Sequence, residues 1–297
     1  MNYSIIIAAP LLIAAVVMAT RFVGCSLDES GTASPQPYST LLLAIGSSLV
    51  SLWRLNETKT SAPALDSRGS NNGTYQNVTG VALGASHLAN TDTANTAARF
   101  DGGSGSPTTN GGYVSVKLDG SLNPATAFTV EALVNPSAIG SATDPTDYHA
   151  IVSSRHINAT PVQTFGYILY LHNSGFEAWI GDGSANFVSV RVAAGAVANG
   201  GPYYLAMTYD GAKLKLYVDP TDTQAETVTE PDHYAEIAAP TYKPNTVTEL
   251  RIGAGDNDHA ATYCFPGEIQ DVAFYNVALD FTTIQSHFSV AMTGFST

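Results

Sequence analysis

Hydrophobic residues recur at every second position over long stretches of this chain. Phe128, Val130, Ala132 and Val134 fall on one side of the segment FTVEALV. Leu214, Leu216 and Val218 alternate with Lys213, Lys215 and Tyr217. Successive side chains of a strand point to opposite faces, so this period predicts strands with one face in a core. Turn residues punctuate the runs. Asp210-Gly211 separates Tyr203–Tyr209 from Lys213–Asp219, and Asn173-Ser174-Gly175 separates GYILYLH from FEAWIGD. Both read as tight hairpins. Further strands are expected at Val50–Leu55, Ala98–Phe100, Tyr113–Val116, Ile151–Ser154, Val188–Val192, Leu250–Ile252 and Gly267–Tyr275. Helical periodicity is nearly absent. Short helices are expected only within Leu41–Leu49, as a lead-in, and at Thr282–Phe288. Roughly a dozen short strands joined by Gly-rich turns predict an all-β, two-sheet sandwich.

The N-terminus follows another rule. Ile5 to Thr20 carries no charge. As a helix it would measure about 24 Å, against a hydrocarbon core of about 30 Å. Phe22 to Cys25 closes that gap if Arg21 snorkels to the interface. Residues 1–25 are therefore expected to be a single transmembrane anchor helix. A lipoprotein signal ending in Phe22-Val23-Gly24-Cys25 and a cleavable signal peptide are the alternatives. A polar linker with two prolines, residues 26–37, follows, and residues 38–297 form the sandwich domain.

Composition narrows the function. The net charge is −13, from 25 acidic and 12 basic residues, with no Lys/Arg cluster. Phosphate backbones require such a cluster, so nucleic acid is not an expected partner. Surplus carboxylates serve solubility and can hold hard cations. The two cysteines, Cys25 and Cys264, form neither a disulfide framework nor a zinc site.

The order of several segments resembles bacterial laminin-G-like (LamG, concanavalin A-like) domains. They are Trp53-Arg54-Leu55-Asn56-Glu57, Ala64-Leu65-Asp66-Ser67, Asn71-Asn72-Gly73-Thr74-Tyr75, Ala98-Arg99-Phe100-Asp101-Gly102, Phe128-Thr129-Val130-Glu131-Ala132, Ala206-Met207-Thr208-Tyr209-Asp210-Gly211 and Gly267-Glu268-Ile269-Gln270-Asp271. The resemblance implies a jelly-roll sandwich, often at a cell surface and tied to carbohydrate or protein binding. It also implies a structural calcium near the first turn, with Asp66, Asn71, Asn72 and Asp271 as the oxygen donors. Gln270 stands where many relatives offer an acid. Asp256-Asn257-Asp258-His259 is a second acidic loop, expected to be a solvated turn.

Laminarinase-type enzymes of this fold use a Glu-x-Asp-x-x-Glu strand, because glycoside hydrolysis needs two carboxylates. Here the nearest match, Glu268 to Ala273, has Gln270 at the central acid and Ala273 at the closing one. No catalytic residue is expected. Tyr203, Tyr204, Tyr209, Tyr217 and Trp179 are candidate ligand-binding aromatics, with core filling the expectation for most of them. The leading reading is a non-catalytic, membrane-anchored binding or adhesion domain on the periplasmic or extracellular side, with a glycan or protein ligand. The alternative is an accessory subunit whose helix packs in a larger membrane complex. An enzyme or a coat protein ranks below both.

Overall fold

A computed structural model describes residues 25–27, 33–137, 147–173, 175–192, 201–219 and 233–293. The expected anchor before Cys25 lies outside the described residues. Among the described residues, no helix is long and apolar enough to cross a membrane.

A short ribbon, β1 (Cys25–Leu27) with β2 (Ala33–Pro35), precedes α1 (Tyr38–Ala44). Strands then follow almost without interruption. They are β3 (Leu49–Trp53), β4 (Gly73–Gln76), β5 (Val81–Ala85), β6 (Ala97–Asp101), β7 (Tyr113–Val116) and β8 (Phe128–Pro136). Next come β9 (Tyr148–Ala159), β10 (Val162–His172), β11 (Gly175–Gly181), β12 (Phe187–Arg191), β13 (Tyr203–Tyr209) and β14 (Lys213–Val218). The last are β15 (Tyr234–Ala238), β16 (Leu250–Ile252) and β17 (Pro266–Tyr275). The short helix α2 (Phe281–Phe288) continues into a π-helical turn, Ser289–Thr293.

Two antiparallel sheets face each other. The front sheet has seven strands in the order β12-β11-β10-β9-β16-β7-β4. The back sheet has eight, β15-β14-β13-β8-β17-β6-β5, with β3 paired to the far half of β17. This is the two-sheet sandwich that the alternation predicts. The hairpin at Asp210-Gly211 forms with Gly211 at φ +94°. Asp210 Oδ1 accepts from the N–H groups of Ala212 and Lys213.

The main core lies between the sheets. Phe128, Val130, Ala132 and Val134 from the back meet Tyr167, Leu169 and Leu171 from the front. The back sheet is not solvated on its other side. Leu133, Tyr204, Ala206, Tyr217, Ala273 and Tyr275 point outward into a second apolar cluster. Tyr38, Leu41 and Leu42 of α1, Ile284 and Phe288 of α2, and Val290 and Ala291 cover it. The central back strands β8, β13 and β17 are thus buried on both faces, unlike the one-sided expectation for them. Among the described residues, no helix covers the outer face of the front sheet.

Candidate ligand-binding face

Register fixes what that open face presents. On β10 the inward residues Tyr167, Leu169 and Leu171 leave Ile168, Tyr170 and His172 outside. On β11 Phe176, Ala178 and Ile180 go inward, leaving Glu177 and Trp179 outside. A bulge at Leu169/Tyr170 sets Tyr170 opposite Ala150 and His172 opposite Tyr148. The result is an aromatic cluster on strands that otherwise end in polar groups. Trp179 meets Tyr170 edge-on at 4.9 Å and Tyr148 at 5.7 Å. Tyr148 stacks on His172 at 3.9 Å, and Phe187 lies 4.6 Å from the indole.

Polar groups hold this cluster in place. Glu177 accepts from Trp179 Nε1 at 2.8 Å on one oxygen and lies 2.9 Å from His172 Nδ1 on the other. Arg191 Nη2 donates to the carbonyls of His172 and Asn173 at 2.8 and 2.5 Å. Burial raises the phenol pKa of Tyr148, with Glu177 adding to it, and burial raises that of Tyr170 further. Both rings stay neutral.

A segment from Gly255 to Tyr263 closes one side. Arg251 is buried and donates to the carbonyls of Gly255 (2.9 Å), Asp256 (3.1 Å) and His259 (3.0 Å). Asn257 donates to the carbonyls of Ser153 and Glu249 at 2.9 and 2.7 Å. Asp256 pairs with Arg155 at 2.5 Å, and Asp258 pairs with His156 and the Ile157 N–H. The expectation of a solvated turn at 256–259 is therefore corrected. Asn257 is buried and both carboxylates are engaged, because the buried Arg251 guanidinium draws the loop onto the sheet. Asp256 and Tyr263 adopt left-handed backbone, at φ +53° and +55°. A bulky residue such as tyrosine rarely takes that conformation.

Between this loop and the cluster lies a small recess of about 60 Å³, partly open to solvent. Tyr148, Ala150, Ile168, Trp179 and Tyr263 form much of its lining. Of the candidate aromatics, only Trp179 is here. Tyr203 and Tyr209 fill the main core, and Tyr204 and Tyr217 lie under the helical cover. Tyr148, Arg155, Tyr170, Glu177 and Tyr263 were not singled out by the sequence. Their signal was available in part: the outward positions of GYILYLH and FEAWIG include Ile, Tyr, His, Glu and Trp, not the Thr and Ser of a solvated face.

The four oxygen donors expected for calcium take part in two hydrogen-bond networks. Asp66 accepts from the N–H groups of Leu52, Arg68, Gly69 and Asn71 at 2.9–3.0 Å. Asn72 Oδ1 accepts from the Asp66 N–H, and Asn71 donates to Ser51 Oγ. Asp271 belongs to another network, with Gln270, Asn95 and Arg54. A calcium ion needs six or more convergent oxygens. The Asp66 oxygens meet backbone donors, and Asp271 sits in the second network. Among the described residues, no group of three His, Cys, Asp or Glu side chains could hold a metal. The Glu268–Ala273 segment lies on β17 of the back sheet, away from the open face, and Gln270 is fully buried there.

A family model described as the concanavalin A-like lectin/glucanases superfamily (Laminin_G_3) matches residues 108–285, a span that contains the whole recess. No curated protein matches the chain. The fold is similar to the binding domain of botulinum neurotoxin DC in complex with SialylT. There the TM-score is 0.54 and the identity 12%, over 83% of this chain and 52% of that one. It is also similar to the botulinum neurotoxin serotype D ligand binding domain in complex with N-acetylneuraminic acid. The TM-score is 0.51 and the identity 12%, over 84% and 52%. The chain thus spans about half the length of these structures. At such identity the likeness is one of fold.

Proposed function

The chain belongs to the concanavalin A-like lectin/glucanases superfamily, and on that premise we propose that its front sheet is a glycan-binding face. The observation that carries this reading is the Trp179–Tyr148–Tyr170 cluster beside the recess, held rigid by Glu177 and Arg191. An aromatic ring offers an apolar surface for the C–H face of a sugar, and the flanking polar groups suit its hydroxyls. Two structures of similar fold are complexes with SialylT and with N-acetylneuraminic acid, which adds support for a glycan as the ligand class. Binding without catalysis is favoured by Gln270 and Ala273 at the positions of the glucanase acids, and by Glu177 having both oxygens engaged. The uncharged run Ile5–Thr20 supports display of the domain at a membrane, on its periplasmic or extracellular side.

A glycan array probed with residues 38–297 tests the proposal. Binding of one glycan class, lost in Trp179→Ala while the melting transition is kept, is the expected result. An array without hits, or hits indifferent to Trp179, would overturn it.

A further inference from the structure

The recess beside Trp179 holds about 60 Å³ and is partly open to solvent. A single water needs about 10–15 Å³ of such space, so the recess admits a few heavy atoms and not a whole sugar ring. Almost all of the surface lining it is apolar, from Ala150, Ile168 and the rings of Tyr148, Trp179 and Tyr263. The three rings are partly exposed, whereas Ala150 and Ile168 are nearly buried. Two polar atoms nearby, the Tyr170 hydroxyl and Arg155 Nε, are themselves buried and out of a ligand's reach. Carbon can therefore be buried in the recess, and oxygen or nitrogen cannot be paired there.

That excludes most of what a sugar carries. Arg155, the cation in the lining, lies 2.5 Å from Asp256 and 4.0 Å from Asp258, so two carboxylates already offset its charge. Glu177 adds a third negative group on the same face. An anionic sugar would meet these acids and lose its hydration against an apolar wall. An acetamido group would bury its N–H and C=O without partners. A hydroxymethyl group would bring its oxygen to the same wall, where next to no polar surface meets it. A methyl group on a ring carbon loses only the exposure of apolar surface, which favours entry. Among hexoses this is the end of a 6-deoxyhexose, whose C6 carries no oxygen and whose C5–C6 edge is all C–H.

We infer that the recess receives the C6 methyl group of a neutral 6-deoxyhexose, with the C–H face of its ring against the Trp179 indole and its hydroxyls in solvent. This rests on the reading of the front sheet as a glycan-binding face.

Titration of the full chain with two pairs of monosaccharides, followed by NMR, tests it. L-Fucose and L-galactose differ only in the oxygen on C6, and so do L-rhamnose and L-mannose. At least one 6-deoxy sugar is expected to bind about tenfold tighter than its hydroxylated twin. In saturation-transfer spectra its methyl protons should receive more saturation than its ring protons, because they are the more enclosed. Ile168→Thr places a hydroxyl on the wall and should lower the preference to about threefold or less. The comparison within the parent protein stands whether or not that variant folds. No preference for either 6-deoxy sugar, a methyl less saturated than the ring, or an unchanged preference in folded Ile168→Thr would overturn the inference. If a hydroxylated sugar binds as tightly in a Trp179-dependent way, the glycan face stands and only the 6-deoxy assignment falls. Binding of no sugar at all would remove both.

Discussion

The indole N–H of Trp179 donates to Glu177 Oε1 at 2.8 Å, from two residues further along the same face of β11. The carboxylate therefore sets the plane of the ring that the proposed ligand would meet. Glu177→Ala keeps Trp179 but frees its rotamer. Glycan affinity should drop about tenfold, as expected when a charge-assisted hydrogen bond stops positioning a contact group. The chain has two tryptophans, and Trp53 is fully buried. Acrylamide quenching thus reports Trp179, and its accessible fraction should rise in Glu177→Ala. Unchanged quenching and affinity would remove Glu177 from this positioning role.

Glu131 lies fully buried on the outer side of β8. It accepts from the hydroxyls of Tyr204 (2.7 Å) and Tyr275 (3.0 Å) and sits 2.9 Å from His287 Nδ1. Glu131→Ala strands all three groups beneath the helices. A loss of about 3 kcal/mol or more is expected, since each buried polar group left without a partner costs about 1–3 kcal/mol. Glu131→Gln keeps one acceptor oxygen and should cost clearly less. Urea denaturation of both variants separates these outcomes, and a loss below about 1 kcal/mol in the alanine variant would show that the network carries little stability.

Asp271 gives the fold a pH dependence with a definite sign. Burial raises its pKa from 3.8 to about 7, and Asp92 adds to that, against Gln270, Arg54 and Asn95. Between about pH 4 and pH 7 the folded chain holds this proton while the unfolded chain has released it. The stabilising contribution is complete below the unfolded value and is lost as pH rises through the folded one. Asp271→Asn removes this titration. The difference in melting temperature between pH 5 and pH 8 should shrink in the variant relative to the parent. Parallel curves for the two proteins would contradict the assignment.

Asp66 ties the first loop through four backbone N–H groups. Asp66→Ala leaves them without an acceptor and should cost at least about 1–3 kcal/mol. A chelator should leave the melting temperature of the parent unchanged, because a ligand specific to the folded state would have raised it. A drop on chelation would mean that the loop does hold a cation.

How much of this was legible along the chain depends on the layer. The alternation of β8 and β14 and the turn at Asp210-Gly211 disclosed the strands, because side-chain parity and turn chemistry are local properties. The double burial of β8 was not legible. Thr129 and Glu131 occupy its outward positions and look like solvent-facing residues, yet Val277, in the loop after β17, and His287 of α2, both more than 140 positions away, bond to them. Trp179 was visible as an exposed-strand aromatic. Its neighbours were not, since Tyr148, Tyr170 and Tyr263 come from three segments that meet only through the pairing of β9 with β10 and the loop drawn in by Arg251. Asp271 takes a left-handed backbone at a bulge in β17, and its carboxylate lies 3.9 Å from Arg54, a placement that the strand's alternation did not disclose.

Both ends of the sandwich are fastened to the same side of it. α1 at its entrance and α2 with Ser289–Thr293 at its exit lie together on the back sheet, opposite Trp179. One sheet thus spends its outer surface on holding the fold together, and the aromatic side is the one left with no helix to hold.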